Sequence, residues 1–338
     1  MPTSHLTRRN FLKTTALAAT PFILRWDLRG APAEPRKLLR FGICADVHQD
    51  VMHDGEARMR VFIDRMKKEK PDFIFQLGDF CQPRDTNKKF LSIWNEFPGP
   101  RYHMLGNHDK DGGFSWKQVM AFWDMEKRYY SFDRDGWHFI VLDGNEKSPV
   151  KKIPGYPRYI GAEQLAWLAD DLKKTKLPTI LSCHQSLESD DNSIDNREEV
   201  RALLEKTNAE AGWTKVGVCL SGHHHIDFQR TINGITYVQV NSMSCSWLGD
   251  KYTHVRYGAE VDKTHPYIKY TAPYKDPLFS LATLDPAGVF KLEGTTSEFV
   301  GPSPWDLGMP DKKDTDRCRE RLVPKISDRK IPLKVRPA

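Results

Sequence analysis

The sequence predicts a mixed α/β (α+β) chain built on two stacked mixed sheets with helices outside them. Three observations carry this expectation. Short apolar runs of strand length recur through residues 38–220. Amphipathic stripes of helical period lie between them. Two tight-turn dipeptides, Asp135-Gly136 and Asn233-Gly234, each separate a pair of strand-like runs. Strands with helices early and hairpins later suit two layers of sheet covered by helices.

The elements follow in order. Residues 38–43, 73–77, 102–105, 179–183 and 216–220 have the length and the β-branched or aromatic enrichment of buried strands. Residues 56–69 read as a helix with Met59, Phe62, Ile63 and Met66 on one stripe. Residues 162–174 do so through Leu165, Leu168, Ala169 and Leu172, and residues 197–207 through Val200, Leu203 and Leu204. The hairpins join 129–132 to 137–141 and 228–232 to 235–239. Strand-like runs return at 278–284 and 289–292. Residues 301–338 form a basic, proline-bearing C-terminal extension with little periodicity. No internal repeat or low-complexity segment is present.

Each of five strand-like runs leads into residues able to bind metal. These are Asp46-Val47-His48, Gly78-Asp79, Gly106-Asn107-His108-Asp109, His184, and Gly222-His223-His224-His225. Ligands just past the carboxyl ends of strands converge at one sheet edge, where open α/β sheets place their sites. Glycine suits positions where the chain turns sharply beside a ligand. Together the motifs offer oxygen and nitrogen donors in the mixture a two-metal hydrolytic site needs.

In this order the motifs D-x-H, G-D, G-N-H-D, H and G-H-x-H resemble those of the calcineurin-like metallophosphoesterase superfamily. The likeness covers roughly residues 38–240 with every motif intact. It implies a four-layer α/β/β/α fold and two divalent or trivalent transition-metal ions, iron, manganese, zinc or cobalt. Asp46, His48 and His225 would hold the first metal and Asn107, His184 and His223 the second, with Asp79 bridging. A metal-bridging hydroxide would attack phosphorus. His108 would contact the phosphate and protonate the leaving oxygen, and Asp109 would orient its ring. Asn107 would also touch substrate. The stretch Asp79-Phe80-Cys81-Gln82-Pro83 lacks the tyrosine of purple acid phosphatases. The Asp-x-His form resembles that of cyclic-nucleotide and glycerophosphodiester phosphodiesterases, and of the nuclease branch with G-N-H-D.

His224 lies between two expected ligands and reads as a supporting histidine or a substrate contact. His138 reads as a satisfied strand residue. The loops after Asp109, at 149–161 and at 241–257 are expected to shape substrate choice, the last through Trp247, Tyr252 and His254. Aromatic and cationic side chains there could stack a base and hold a phosphate.

Thr7-Arg8-Arg9-Asn10-Phe11-Leu12-Lys13 resembles a twin-arginine export signal. A short apolar stretch broken by Pro21 follows, then a small-x-small cleavage site at Ala31-Pro32-Ala33. The expectation is a signal over residues 1–33, a catalytic domain over 34–300, and a periplasmic or extracellular location. The twin-arginine translocation machinery would be a partner. No span is expected in the mature chain. The formal charge of +6 falls toward neutral once Arg8, Arg9, Lys13, Arg25 and Arg29 are removed, which argues against nucleic acid as a partner. Of the six cysteines, Cys44, Cys183 and Cys219 end core strands and read as buried thiols.

The function expected is hydrolysis of a small phosphodiester or phosphomonoester, leaning to diesters. A nuclease would need a long basic groove beside the metals. A nucleotide pyrophosphatase would use the aromatic loop near Trp247. A non-catalytic metal-binding scaffold should have lost ligands, and here all are present.

Overall fold

The computed structural model describes residues 36–150, 154–189 and 191–335. The expected export signal over residues 1–33 lies outside them. Along the chain come β1 (Leu39–Cys44), α1 (Gly55–Glu69), β2 (Phe73–Gln76), α2 (Lys88–Trp94), β3 (Arg101–His103) and α3 (Trp116–Trp123). The next are β4 (Tyr130–Arg134), β5 (Trp137–Leu142), α4 (Ala162–Lys174), β6 (Thr179–Cys183), α5 (Arg197–Ala211) and β7 (Val216–Ser221). Then follow β8 (Phe228–Ile232), β9 (Ile235–Gln239), β10 (Cys245–Trp247), α6 (Ala259–Thr264), β11 (Thr271–Pro273), β12 (Ser280–Asp285), β13 (Val289–Glu293) and β14 (Arg329–Pro332).

Two six-stranded mixed sheets result, ordered β14-β13-β12-β1-β2-β3 and β4-β5-β6-β7-β9-β8. Period-two alternation sets their faces. Leu39, Phe41 and Ile43 of β1 and Trp137, Phe139 and Val141 of β5 point into the core between the sheets. The opposite face of the first sheet packs Cys44 and Ile74 against Met59, Phe62 and Met66 of α1, Phe90 and Trp94 of α2, and Val119 and Trp123 of α3. Ile140, Leu142 and Leu181 of the second sheet pack on α4 and α5. The layers are therefore α/β/β/α. A Cβ at Gly42 would lie 2.2 Å from Met66 Sδ, so its absence lets α1 lie close on β1. Ser115 and Gln118 cap α3 reciprocally. Both expected hairpins form, with Asp135, Gly136, Asn233 and Gly234 all at positive φ, as a twisted two-residue turn requires.

The C-terminal stretch is not a separate extension. Strand β14 extends the first sheet by pairing with β13, and it places Ile331 in the inter-sheet core. Asp227 fixes this stretch by accepting from Ser327 Oγ at 2.5 Å and pairing with Arg329. The four-residue strand is too short and too basic to show a period in the sequence. All six cysteines are buried and unpaired. Among the described residues, no helix is long and apolar enough to cross a membrane.

Candidate metal centre and substrate cavity

The five motifs converge at the carboxyl ends of β1, β2, β3, β6 and β7. The turns there are tight. Asp46, His48, Asp79, His223 and His225 all have positive φ, a region that non-glycine residues rarely adopt. Such backbone strain persists only where the surroundings fix it, and it gathers at functional sites. The glycines are required by close approach. A Cβ on Gly78 would lie 2.3 Å from the His184 ring, and one on Gly106 would lie 2.2 Å from the Asp79 carboxylate.

Two clusters form, Asp46 with His48 and His225, and Asp79 with His184 and His223, the candidate ligand atoms of each lying within 4.8 Å of one another. Asp79 Oδ2 lies between them, 3.2 Å from His184 Nε2 and 3.6 Å from His48 Nε2. The donor chemistry fits a pair of cations. His184 Nδ1 donates to the Leu77 carbonyl at 2.7 Å, and His225 Nδ1 donates to the Cys245 carbonyl at 2.7 Å. His223 Nε2 donates to the Asn192 carbonyl at 3.1 Å. Each bond fixes a tautomer whose other nitrogen offers a lone pair to the cluster. His48 Nε2 and His225 Nε2 face each other at 3.1 Å, close enough to share one cation. Both side-chain polar atoms of buried Asn107 lack a hydrogen-bond partner, which costs stability unless a ligand engages them.

The electrostatics agree. Burial pushes the His48 ring down to about 3, keeping it neutral and able to coordinate. Burial alone would lower His184 too, but the Asp79 and Asp46 carboxylates outweigh it and raise that ring to about 9. The buried carboxylates draw positive charge into the site, and metal ions would supply it.

His108 lines the cavity beside these clusters. Its orienting carboxylate is not Asp109, contrary to the sequence-based expectation. Asp109 accepts backbone N–H groups from Gly106 at 2.7 Å, Phe80 at 2.7 Å and Asp79 at 3.1 Å, so it fastens two ligand loops together. Asp111 is the carboxylate on His108 Nδ1, at 2.7 Å, and the Tyr156 hydroxyl donates to Asp111 at 2.9 Å. Adjacency in the motif suggested Asp109. The turn after His108 instead brings Asp111 round to the ring, and Tyr156 arrives from a loop with no motif of its own.

The cavity has a volume of about 520 Å³. Its walls come from Tyr156 and Arg158, from Trp247 at the end of β10, and from Arg317 and Leu322 in the C-terminal stretch. The Trp247 ring centre lies 6.1 Å from that of His108. His224 reaches the cavity wall with both nitrogens occupied, Nδ1 by Asp316 at 2.8 Å and Nε2 by Ser186 at 3.0 Å. Two expected substrate residues do not line the cavity. Tyr252 is buried in a small apolar cluster with Leu248, Ala272 and Met309, and the His254 backbone N–H ties its loop to the Lys269 carbonyl. Both belong to a polar and aromatic stretch, and local composition could not say which side chains turn inward. His138 is satisfied by Asp133 and Asp171 on the second sheet.

The chain is 25% identical to a manganese-dependent ADP-ribose/CDP-alcohol diphosphatase of rice (Oryza sativa subsp. japonica), over 56% of this chain and 78% of that protein. A dimetal phosphatase of Danio rerio superposes with a TM-score of 0.55 at 14% identity, covering 78% of this chain and 99% of that one. GAP50 of Plasmodium, the anchor in its inner membrane complex, superposes with a TM-score of 0.53 at 15% identity, covering 88% and 90%. At these identities the structural neighbours establish the fold alone. The calcineurin-like phosphoesterase family model matches residues 39–227, more than half of the chain. That stretch holds all five motifs and both side-chain clusters, so the chain belongs to the calcineurin-like phosphoesterases and is a metal-dependent phosphoester hydrolase.

Proposed function

We propose that this hydrolase acts on small phosphate compounds, and that nucleotide-linked diphosphates are the class its cavity suits best. One observation carries the reading. Both ligand clusters and His108 face a cavity of about 520 Å³, within the range of small-molecule sites. A nuclease needs a long basic groove, whereas Asp191 and Asp316 line this cavity beside its arginines. The aromatic faces of Trp247 and Tyr156 suit a base or sugar. The rice relative's name adds support for a diphosphate bond and for manganese.

Asp46, His48 and His225 would hold one ion, Asn107, His184 and His223 the other, and Asp79 both. Two bound ions supply Lewis acidity at the phosphoryl oxygens and an activated water. His108 keeps Nε2 for substrate because Asp111 engages Nδ1. A proton held there can pass to the leaving oxygen. Carboxylate, amide and imidazole donors accept manganese, iron, zinc or cobalt.

The test is turnover by the manganese-loaded mature protein of ADP-ribose, a CDP-alcohol, an aryl phosphodiester and an aryl phosphomonoester. Fastest release of nucleoside monophosphate is expected. Cleavage of aryl esters without diphosphate cleavage would replace this reading with a phosphodiesterase or phosphatase. Bound metal with no turnover of any of them would favour a scaffold.

Export by the twin-arginine route is part of the same proposal and rests on Arg8-Arg9 with the following apolar stretch. A reporter fused after residue 40 should leave the cytoplasm, and Arg8→Lys with Arg9→Lys should retain it. Export of the double variant would overturn the assignment.

A further inference from the structure

We propose that Arg317, together with Arg158, forms an anion subsite that holds the non-reacting phosphoryl group of a diphosphate, delivered in part by a segment beyond residues 39–227, the stretch the family model matches. The two arginines come from distant places, the loop before α4 and the C-terminal stretch, yet both line the cavity that holds the ligand clusters. Arg158 is partly buried and Arg317 exposed at the cavity rim, whereas Arg128, Arg329 and Arg40 are neutralised by Asp143, Asp227 and Glu69. Neither Arg158 nor Arg317 has a carboxylate within ion-pair distance among the described residues, and Arg158 Nε is buried without a hydrogen-bond partner. A guanidinium left unpaired beside a phosphate site is suited to forked hydrogen bonds with phosphate oxygens.

The backbone carrying Arg317 is fixed. Asp316 pairs with His224 at 2.8 Å and accepts from Ser189 Oγ at 3.2 Å. Cys318 on the other side is buried. The Arg317 carbonyl accepts from Lys312 N–H at 3.1 Å. His224, flanked by His223 and His225, thus anchors the segment that presents Arg317. This gives the extra histidine of the Gly222-His223-His224-His225 motif a role no metal requires.

The inference rests on the diphosphate reading for its substrate, and its test separates the two. Full-length mature protein loaded with manganese is compared with Arg317→Ala, Arg158→Ala and Arg317→Lys. The first readout is the ratio of kcat/KM for ADP-ribose to that for an aryl phosphomonoester. Loss of one charge-assisted pair should lower this ratio about 10- to 100-fold in Arg317→Ala, mainly through KM, with Arg317→Lys between. The second readout is competitive inhibition of aryl ester cleavage by inorganic pyrophosphate against inorganic phosphate. Arg317→Ala should weaken pyrophosphate about tenfold or more relative to phosphate. Equal losses on both substrates with an unchanged inhibition ratio would overturn the subsite. An enzyme that ignores ADP-ribose but loses pyrophosphate preference in Arg317→Ala would keep the subsite and refute the substrate. Metal content and thermal midpoint, measured on each variant, identify a folding defect. Arg158→Ala then supplies the same ratios independently.

Discussion

The floor of the cavity comes from five strand-end turns, whereas its walls come from Tyr156, Trp247 and the segment around Arg317, which lie far apart in the chain. The two are held in different ways. Five floor residues, Asp46, His48, Asp79, His223 and His225, sit on backbone at positive φ, and bonds to main-chain carbonyls such as Leu77 to His184 and Cys245 to His225 fasten the rings. Wall residues depend on side-chain pairs, Tyr156 with Asp111 and Asp316 with His224. The neighbours His223 and His224 show the division in one motif. The first joins a ligand cluster, and the second tethers the wall. A rigid floor can carry generic metal chemistry, while walls built from exchangeable contacts can set substrate choice without disturbing it.

Damage to the floor should therefore be the more severe. Asp79→Ala removes the carboxylate shared by both clusters and should abolish turnover while lowering bound metal from two ions per chain, measured by elemental analysis. Two ions retained in that variant would deny Asp79 its bridging place. His108→Ala stands at the border of floor and wall. It should keep its metals and slow cleavage of an alkyl phosphodiester by about 10²–10⁴-fold, the usual loss with a general acid. A diphosphate or aryl leaving group is a weak base and needs little protonation, so its loss should be much smaller. Equal losses across leaving groups would mean that His108 only binds substrate.

The two acidic residues that follow His108 sharpen the contrast. Asp109→Ala strips the acceptor from three buried backbone N–H groups, at about 1–3 kcal/mol for each group left unsatisfied. It should lower the thermal midpoint and metal content together. Asp111→Ala loosens a half-exposed ring contact and should leave the midpoint nearly unchanged. It should slow alkyl diester cleavage about tenfold, a fraction of the full general-acid effect. The reverse pattern would restore the motif's own Asp109 as the orienting residue.

The floor was legible in the sequence because its geometry is local. Each ligand follows a strand within a few residues, so apolar run and motif together placed Asp46, Asp79, Asn107, His184 and His223 at one edge. The sandwich was legible for the same reason, through periods of two and 3.6 residues. The walls were not. Tyr156, Arg158 and Arg317 stand in stretches without periodicity, and their places are fixed across long sequence separations by contacts of Tyr156 to Asp111, of Arg158 to Asp195, and of Asp316, beside Arg317, to His224. Nor did the sequence reveal that β14 returns to the first sheet, since its buried apolar residues, Ile331 and the following Leu333, stand singly between prolines and lysines. Trp247, Tyr252 and His254 looked alike in composition. Only strand β10, paired with β11, turns the first toward the cavity and leaves the other two behind it.

Trp247 gives the mildest test of the comparison. Its ring lies 6.3 Å from His48 and 6.1 Å from His108, close enough to cover the floor yet bonded to neither. If it acts as a wall, Trp247→Ala should leave two metals bound and change kcat by no more than a few-fold. Its KM for a CDP-alcohol should rise about 5- to 100-fold, because stacking one base on an aromatic face contributes about 1–3 kcal/mol. Trp247→Phe should recover most of that loss, since a smaller ring still offers a face. An alkyl phosphate with no base should show little change, having nothing to stack. If Trp247→Ala instead loses metal or slows every substrate alike, the indole shields the His48 cluster from water, and the boundary between floor and wall lies further out than Trp247.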